Sequence, residues 1–565
     1  MEYSLTSDNC DHMKRQLSQS TLFGQLKRGK QQTNVSASVT SVEHAVFDLF
    51  KDTDNLVSVG RFLSHIELSG IRRTDKRLEE TIEAFRQLRC CTKTHEPIET
   101  LHVDRDQFKS CVSHNFEFIS RILRNALVIP EFGDFVQIIN NIYQTCESDR
   151  SGKNADYIPQ LANVNPEQWA VSVCTIDGQR FSIGPTTTPF SIQSVSKTFN
   201  YALGLNDFGS EKIHQFIGQE PSGRIFNDLC LDSNDKPHNP MINAGAMVMA
   251  SLLLNNDYIS DRYEYVKKFY KAMAGDEFTG FNPAIFLSER ASADRNFALA
   301  HYMREYGCFP TGAHLQDSLD FYFQLCSIEI NAEAGAVMAA TLANGGICPT
   351  TDDPILKCDT TRDVLSLMYS CGMYDYSGQF AFYVGLPAKS GVSGIVILVV
   401  PNVMGICAWS PRLDRYGNSV RGVKFCEELV KVFSFHNYDL LTETKKLDPR
   451  HKPVVSRGQQ VVNLLFSAAD GDVVALRRYM LQGFDLGVAD YDSRTALHLG
   501  AAEGHYDCVL FLLERACVDP APRDRWNVTP AMEAESNGYP EIVKLIDSYA
   551  AQKAQRISEE LEESE

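Results

Sequence analysis

The sequence predicts a multidomain α/β protein: an N-terminal helical bundle, a central domain built from an antiparallel sheet and a helical block, and C-terminal ankyrin repeats. Three observations predict it. Apolar residues recur at helical spacing through residues 42–150. Between about 155 and 440, two strands lead into a helical stretch and then into further strands. Beyond 460 a short motif returns with its glycines 33 and 34 residues apart.

Composition bounds the function. The chain has 565 residues, 44% of them hydrophobic and 22% charged, and a formal net charge of −18. A globular protein of several domains is expected, and the acidic balance argues against non-specific nucleic-acid binding, which needs a basic surface. The 16 cysteines show no C-x-x-C pair or framework spacing, so they read as reduced, mostly buried thiols. No apolar run reaches the length of a membrane span; Ile395-Val396-Ile397-Leu398-Val399-Val400 is a buried strand ending at Pro401. Residues 1–41 form a polar leader. From His12 to Val42 it carries Lys14, Arg15, Lys27, Arg28 and Lys30 and no acidic residue, as a transit segment does, although Glu2, Asp8 and Asp11 precede it.

Residues 42–150 read as the bundle. Val42, Ala45, Val46, Leu49 and Phe50 share one helix face. Asp52-Thr53-Asp54-Asn55 starts like a calcium loop, but Leu56 and Val57 stand where a ligand and a glycine are required, so an EF-hand-like bundle without metal is expected. Ser151-Gly152-Lys153 lacks the upstream glycine of a phosphate-binding loop.

Residues 151–442 form the expected catalytic domain. Trp169–Ile176 and Arg180–Gly184 read as strands joined by the Asp177-Gly178 turn. Gln193-Ser194-Val195-Ser196-Lys197 follows. Serine and lysine three residues apart share a helix face, and a lysine kept neutral by burial can activate the serine hydroxyl. The same S-x-x-K spacing recurs at Ser233–Lys236, in a polar stretch that reads as a loop. Helices are predicted over Met241–Leu254 with Asn243 in its interior, Ser288–Tyr302, Asp317–Ile328 and Val364–Ser370. Strands are predicted over Phe380–Val384, 395–400 and Gly405–Ser410, so the sheet closes by joining both ends of the region. Lys389-Ser390-Gly391 precedes the 395–400 strand. The order S-x-x-K, then a K-T-G-like triplet at a strand start, is that of serine hydrolases of the β-lactamase and penicillin-binding class.

Residues 443–460 read as a linker. In the ankyrin region, 461–550, Ala468-Ala469-Asp470-Gly471-Asp472 recurs as Ala501-Ala502-Glu503-Gly504-His505 and loosely as Glu535-Ser536-Asn537-Gly538-Tyr539. Thr495-Ala496-Leu497-His498 and Thr529-Pro530-Ala531 match the ankyrin turn. Residues 551–565 are an acidic tail.

Several long motifs then converge. They include Asp156-Tyr157-Ile158-Pro159-Gln160-Leu161-Ala162, the run Lys236 to Ala246, Ser288-Glu289-Arg290 through Asp294-Arg295-Asn296, Phe321-Tyr322-Phe323-Gln324-Leu325-Cys326-Ser327, Cys371-Gly372-Met373-Tyr374-Asp375 and Gly385 to Val392. By these the chain resembles the animal phosphate-activated glutaminases of kidney and liver type. The resemblance implies a β-lactamase-like fold and hydrolysis of L-glutamine to L-glutamate and ammonia. It implies Ser194 as nucleophile, Lys197 as base, Tyr374 and Tyr157 as proton relays or orienting groups, and the backbone N–H groups of Ser194 and Val392 as oxyanion donors. It implies Gln193, Glu289, Asn243, Asn296, Tyr322 and Tyr374 around the substrate, with Glu289 on the α-ammonium. No cofactor is implied, with inorganic phosphate as activator. The family's assembly implies homodimers and homotetramers, with phosphate-induced filaments, and ankyrin contacts to partners or to the oligomer. Its location implies the mitochondrial matrix, the cytoplasm being the alternative. The loop 223–232, which gates the site in the family, departs from the kidney form at Asp228 and Cys230.

Two other readings stay open at the level of sequence: a β-lactamase or peptidase-type acyl transferase on the same fold, and a non-enzymatic scaffold with ankyrin repeats. The set Glu289, Asn243 and Asn296 favours a small amino acid over a peptide, and the filled catalytic positions speak against a scaffold.

Overall fold

The computed structural model describes residues 47–562, apart from 48–49, 53, 92–96, 224–227, 255–256, 440–445, 451–456 and 482–483. The leader, the end of the acidic tail and part of the 223–232 loop lie outside the described residues. The chain forms two units. One comprises residues up to 65, 80–126 and 451–565; the other comprises 66–79 and 127–450.

In the first unit, Phe47, Phe50, Phe62, Phe85 and Phe108 meet mostly edge-to-face, with centroids 5.1–6.5 Å apart. Such pairing favours the ring quadrupoles. Strands β1 (Val57–Ser58) and β2 (His102–Val103) pair antiparallel. Before β1, Asp52 Oδ1 accepts from the backbone N–H groups of Asp54 and Leu56, at 3.0 and 2.9 Å. The same unit holds three helix pairs. They are Arg457–Ala469 with Val473–Leu481, Ala496–Ala502 with Tyr506–Glu514, and Pro530–Ser536 with Pro540–Glu562. The repeating glycines Gly471, Gly504 and Gly538 all have positive φ, at 73°, 80° and 84°, where a side chain would be strained. The Thr495–His498 motif explains itself. His498 Nδ1 sits 3.0 Å from Thr495 Oγ1, and its Nε2 lies 3.2 Å from the Val528 carbonyl of the next repeat.

The second unit is built on a five-stranded antiparallel sheet in the order β4–β3–β10–β9–β8. The strands are β3 Ala170–Thr175, β4 Arg180–Ile183, β8 Ala388–Gly391, β9 Ile395–Val400 and β10 Met404–Trp409. The expected closure holds: β3 pairs with β10, Val171 facing Ala408. The apolar β9 run is buried on both faces. Ile395, Ile397 and Val399 join the core under the helical block, while Val396, Leu398 and Val400 join a second core with Phe135, Phe425 and Leu429. Helices therefore cover both sides. The helix Ala332–Ala343 crosses the sheet so closely that a Cβ at Gly405 would collide with the backbone of Ala339 and Ala340. A smaller sheet, β5–β7–β6, joins Phe190–Ser191, Ile328–Ile330 and Thr279–Phe281.

Four sequence expectations change. Phe380–Val384 is not a strand but belongs to the turn of helix Ser377–Tyr383 and its cap. Phe380 and Val384, four apart, are buried, while Phe382 is 76% exposed; that is helical, not alternating, burial. The helix predicted from Met241 begins at Asn243, which is its first residue rather than an interior one. The helix predicted over Ser288–Tyr302 is two, Pro283–Ala291 and Asp294–Glu305, broken at Ser292 and Ala293. The helix Phe132–Glu147, assigned by periodicity to the bundle, packs in the second unit, with Phe135 5.3 Å from Phe433 and Tyr143 stacked on Trp169.

Residues 66–79 strap the β3–β4 hairpin. Gly70 accepts from Arg180 N at 2.7 Å, Ser69 from Gln179 Nε2 at 2.9 Å, and the Asp177 carbonyl from Arg77 Nη2 at 3.0 Å. Beside them lies a charge network. Arg180 meets Glu277 at 2.9 Å and Glu333 at 4.0 Å, Arg72 meets Glu333 at 2.6 Å, and Thr186 Oγ1 donates to Glu333 at 3.0 Å.

Candidate active site

Strand β5 delivers the chain to the site. After it, Ile192 N donates to Ile328 O of β7 at 2.8 Å. The chain then turns through the short 3₁₀ helix Gln193–Val195 into the helix Ser196–Phe208. Gln193 has φ +47°, a left-handed conformation that costs a residue with a side chain about 1–3 kcal/mol. The turn places Ser194 and Lys197 together. Lys197 Nζ donates to Ser194 Oγ at 2.8 Å, and the lysine is 2% exposed. Burial pushes its amine below the ordinary lysine value, opposed by Cys326 and Glu289.

Strand β8 supplies the second lysine. Lys389 is fully buried, donates to the Ser390 carbonyl at 2.8 Å and lies 4.6 Å from the centre of the Tyr374 ring. Burial, and then the neighbouring Lys197, hold its amine well below the usual range. The strand ends against the Ser194 turn: a Cβ at Gly391 would stand 3.0 Å from the Ile192 carbonyl and 3.5 Å from Gln193 Cβ. Val392 follows and packs with Ile158, Leu161 and Ile285.

Tyr374 opens the 3₁₀ turn Tyr374–Tyr376 at φ +52°, a rare conformation for a bulky residue. Its hydroxyl interacts with the Ser194 side chain, and burial raises its pKa. Gly372 lets this segment reach β8, since a Cβ there would collide with the Ala388 carbonyl. On the other side of Ser194, Glu289 is 9% exposed and accepts through Oε1 from the Tyr157 hydroxyl at 2.6 Å and from Gln193 Nε2 at 3.0 Å. Burial lifts its carboxyl above the ordinary value, partly offset by Tyr157, Gln193 and Lys197. Tyr157 has its ring half exposed while its hydroxyl points inward to that carboxylate.

Asn243 and Asn296, first residue of one helix and third of another, pair at 3.2 Å. No hydrogen bond joins this pair to Ser194 among the described residues. Tyr322 is buried, its ring 5.5 Å from Lys197 Nζ. The second S-x-x-K assembles no site: Lys236 Nζ donates to the His214 carbonyl and its backbone N–H to Asp232, both outside any contact with Ser233. Sequence reasoning missed Cys326, whose thiol lies by Tyr322, Lys197 and Ser196. It also missed Ser377 and Asn418, which hold the Tyr374 segment. None of the three belongs to a motif with chemical spacing.

The arrangement is a serine hydroxyl on a buried amine, with a second buried amine, a phenol and a buried carboxylate around it. A family model described as glutaminase matches residues 152–438. An EF-hand domain model matches 42–130, and an ankyrin model of three copies matches 464–556. The mouse (Mus musculus) glutaminase liver isoform, mitochondrial, is 46% identical over 494 residues, covering 87% of this chain and 81% of the relative.

The chain belongs to the glutaminase family.

A cyanobacterial glutaminase, from Nostoc sp., is 41% identical over 307 residues, 54% of this chain and 91% of its own. The crystal structure of Mglu in its native form, at 36% identity and TM-score 0.52, covers 54% of this chain and 73% of its own. For this glutaminase the family-model match, residues 152–438, spans Ser194, and the β-lactamase-like fold expected from the motif order agrees with its solved relatives.

Proposed function

We propose that this chain hydrolyses L-glutamine to L-glutamate and ammonia through an ester on Ser194. The observation that carries the reading is the Lys197–Ser194 contact at 2.8 Å with the amine buried and its pKa lowered. A neutral Lys197 takes the hydroxyl proton as Ser194 Oγ bonds to the side-chain amide carbon of glutamine. The oxyanion is held by the backbone N–H groups of Ser194 and Val392; such donors contribute about 2.7–4 kcal/mol each to the barrier. Tyr374, against Ser194, passes the proton to the departing nitrogen, and the C–N bond breaks to release ammonia. Water then attacks the ester, giving its proton back through Lys197 and Tyr374 and restoring the serine.

The α-ammonium of glutamine is met by Glu289, oriented by Tyr157 and Gln193. A buried carboxylate that accepts only from neutral groups is suited to a cation. Asn243, Asn296 and Tyr322 supply donors for the α-carboxylate. These steps use side chains and backbone of the chain alone, with inorganic phosphate as activator. We further place the chain in the mitochondrial matrix, as homodimers that pair into tetramers and lengthen with phosphate. The relatives named as mitochondrial liver isoforms support the organelle, and no described helix is long and apolar enough to cross a membrane. The ankyrin pairs would contact partners or the oligomer.

The test is ammonia release from glutamine, asparagine and a β-lactam by wild type and Ser194→Ala. Glutamine should be turned over and the variant should lose about 10⁴-fold or more in kcat. Turnover of the β-lactam alone, or full activity in the variant, would refute the reading.

A further inference from the structure

Tyr374 is held in a backbone conformation that its side chain disfavours, at φ +52°, and two side chains outside every recognised motif hold it there. Ser377 bridges the peptide from one side. Its hydroxyl accepts from Met373 N at 2.9 Å and donates to the Tyr374 carbonyl at 2.7 Å. Asn418 closes the other side: its Nδ2 donates to the Met373 carbonyl at 3.2 Å. Ser377 thus engages the groups that flank the Met373–Tyr374 peptide, and Asn418 engages the peptide's own carbonyl.

Both side chains are buried, and the backbone of Asn418 is held in place. Ser377 is 7% exposed and Asn418 is fully buried. Asn418 sits in the loop between β10 and the helix Val420–Val432, where Asp414 accepts from its backbone N–H at 3.0 Å and Asp414 N donates to its carbonyl at 2.8 Å. The neighbouring Gly417 brings that loop to the edge of the Tyr374 ring, at ordinary contact distance for a Cβ built on it, 3.8 Å. Lys389 lies over the face of the same ring. The phenol is thus confined by its own peptide, by the loop and by the second lysine. A shift of about 1 Å in a reacting group can cost about a hundredfold in rate.

We propose that Asn418 and Ser377 are positioning residues for Tyr374, clamping the Met373–Tyr374 peptide so that the phenol meets Ser194. This rests on the reading of Tyr374 as the proton relay. The clamp is expected to act mainly on the chemical step, because neither residue is hydrogen-bonded to Glu289 or to the Asn243–Asn296 pair. It also assigns a part in turnover to the 411–419 loop, which carries no ionisable group of the proposed mechanism.

The experiment is steady-state kinetics of the full chain with glutamine, for Asn418→Ala, Asn418→Asp, Ser377→Ala and Ser377→Thr, in the native background and in Tyr374→Phe. Asn418→Ala and Ser377→Ala should lower kcat about 10- to 100-fold with KM within about twofold. Asn418→Asp, unable to donate as a carboxylate, should follow the alanine variant, while Ser377→Thr, which keeps the hydroxyl, should stay within about threefold of wild type. In the Tyr374→Phe background the same changes should cost almost nothing more. Equal losses in both backgrounds, a loss carried by KM, or Ser377→Thr falling with Ser377→Ala would overturn the clamp. Because Ser377→Thr adds only a methyl group to the native serine and Ser377→Ala removes only its hydroxyl, these two variants decide the matter even if the buried Asn418 variants fold poorly. Wild-type kcat in Tyr374→Phe alone would instead refute the relay, and the clamp with it, and is read separately from the clamp variants.

Discussion

Two groups of buried cations sit in the same unit and are treated in opposite ways. Arg180 is surrounded by carboxylates: burial works to lower its pKa, but Cys174, Glu277 and Glu333 outweigh it and leave it raised. Lys197 and Lys389 are as deeply buried, have no carboxylate within ion-pair distance among the described residues, and have lowered pKa values. An arginine that cannot lose its proton must be paired when buried. A lysine can shed it, and an unpaired buried lysine is therefore a base waiting for a proton. The difference separates the arginine that holds the hairpin from the lysines beside Ser194, one of them the proposed base, more sharply than burial or charge alone.

The comparison can be broken most forcefully at Lys197. Lys197→Met should lower kcat about 10²–10⁴-fold, the usual contribution of a general base, and should raise stability, because an apolar side chain replaces a buried amine whose charging burial opposes. The sign follows from linkage. The folded-state pKa lies below the unfolded one, so the unfolded chain binds more protons between the two values, and stability rises with pH across that window. Below the folded value the cost is at its largest, and methionine removes it. By the same logic wild-type kcat should fall as pH drops through the folded-state pKa of Lys197. Kinetics across pH together with urea unfolding at neutral pH check both halves; a variant both inactive and destabilised would break the contrast.

Arg180→Met should do the reverse. Leaving Glu277 and Glu333 short of a partner should cost about 3–5 kcal/mol of stability with kcat per folded molecule unchanged, read by denaturation and by activity normalised to folded protein. The loss should be greatest above the acid range. Burial tends to raise the Glu333 carboxyl, but Arg72, Thr186 and Arg180 hold it below the ordinary value, so its contribution is present at neutral pH and disappears as pH falls through that lowered pKa. Arg72→Ala is the smallest effect. The arginine side chain is 35% exposed, so solvent screening limits the loss to about 0.2–1 kcal/mol.

Much of this was legible in the chain. The run from Ile395 to Val400 announced a strand buried on both faces, the order of Ser194–Lys197 and Lys389-Ser390-Gly391 announced the hydrolase class, and the glycines at 471, 504 and 538 announced the repeats. Each depends on spacing along one element, which sequence preserves. What sequence concealed depends on distant partners. The aromatic run at 380–383 favours a strand locally, but the position of its neighbours leaves only Phe380 and Val384 a place in the core. Residues 66–79 look like any stretch of a helical region until Arg72 finds Glu333. The left-handed backbone at Gln193 and Tyr374 leaves no trace in composition, and nothing around Asn418 marks it as a partner of Met373.

The pairing of β3 with β10 has a consequence for how the protein comes into being. The central seam of the sheet joins a strand made early in synthesis to one made near the end of the domain, with the whole helical block between them. Closing so long a loop is slow relative to local structure. The helices can form while the chain is still emerging, but β8, with Lys389, and the Tyr374 turn arrive only shortly before β10. Lys389 and Tyr374 therefore reach Ser194 and Lys197 late in synthesis, after the helices that carry Glu289 and Tyr322.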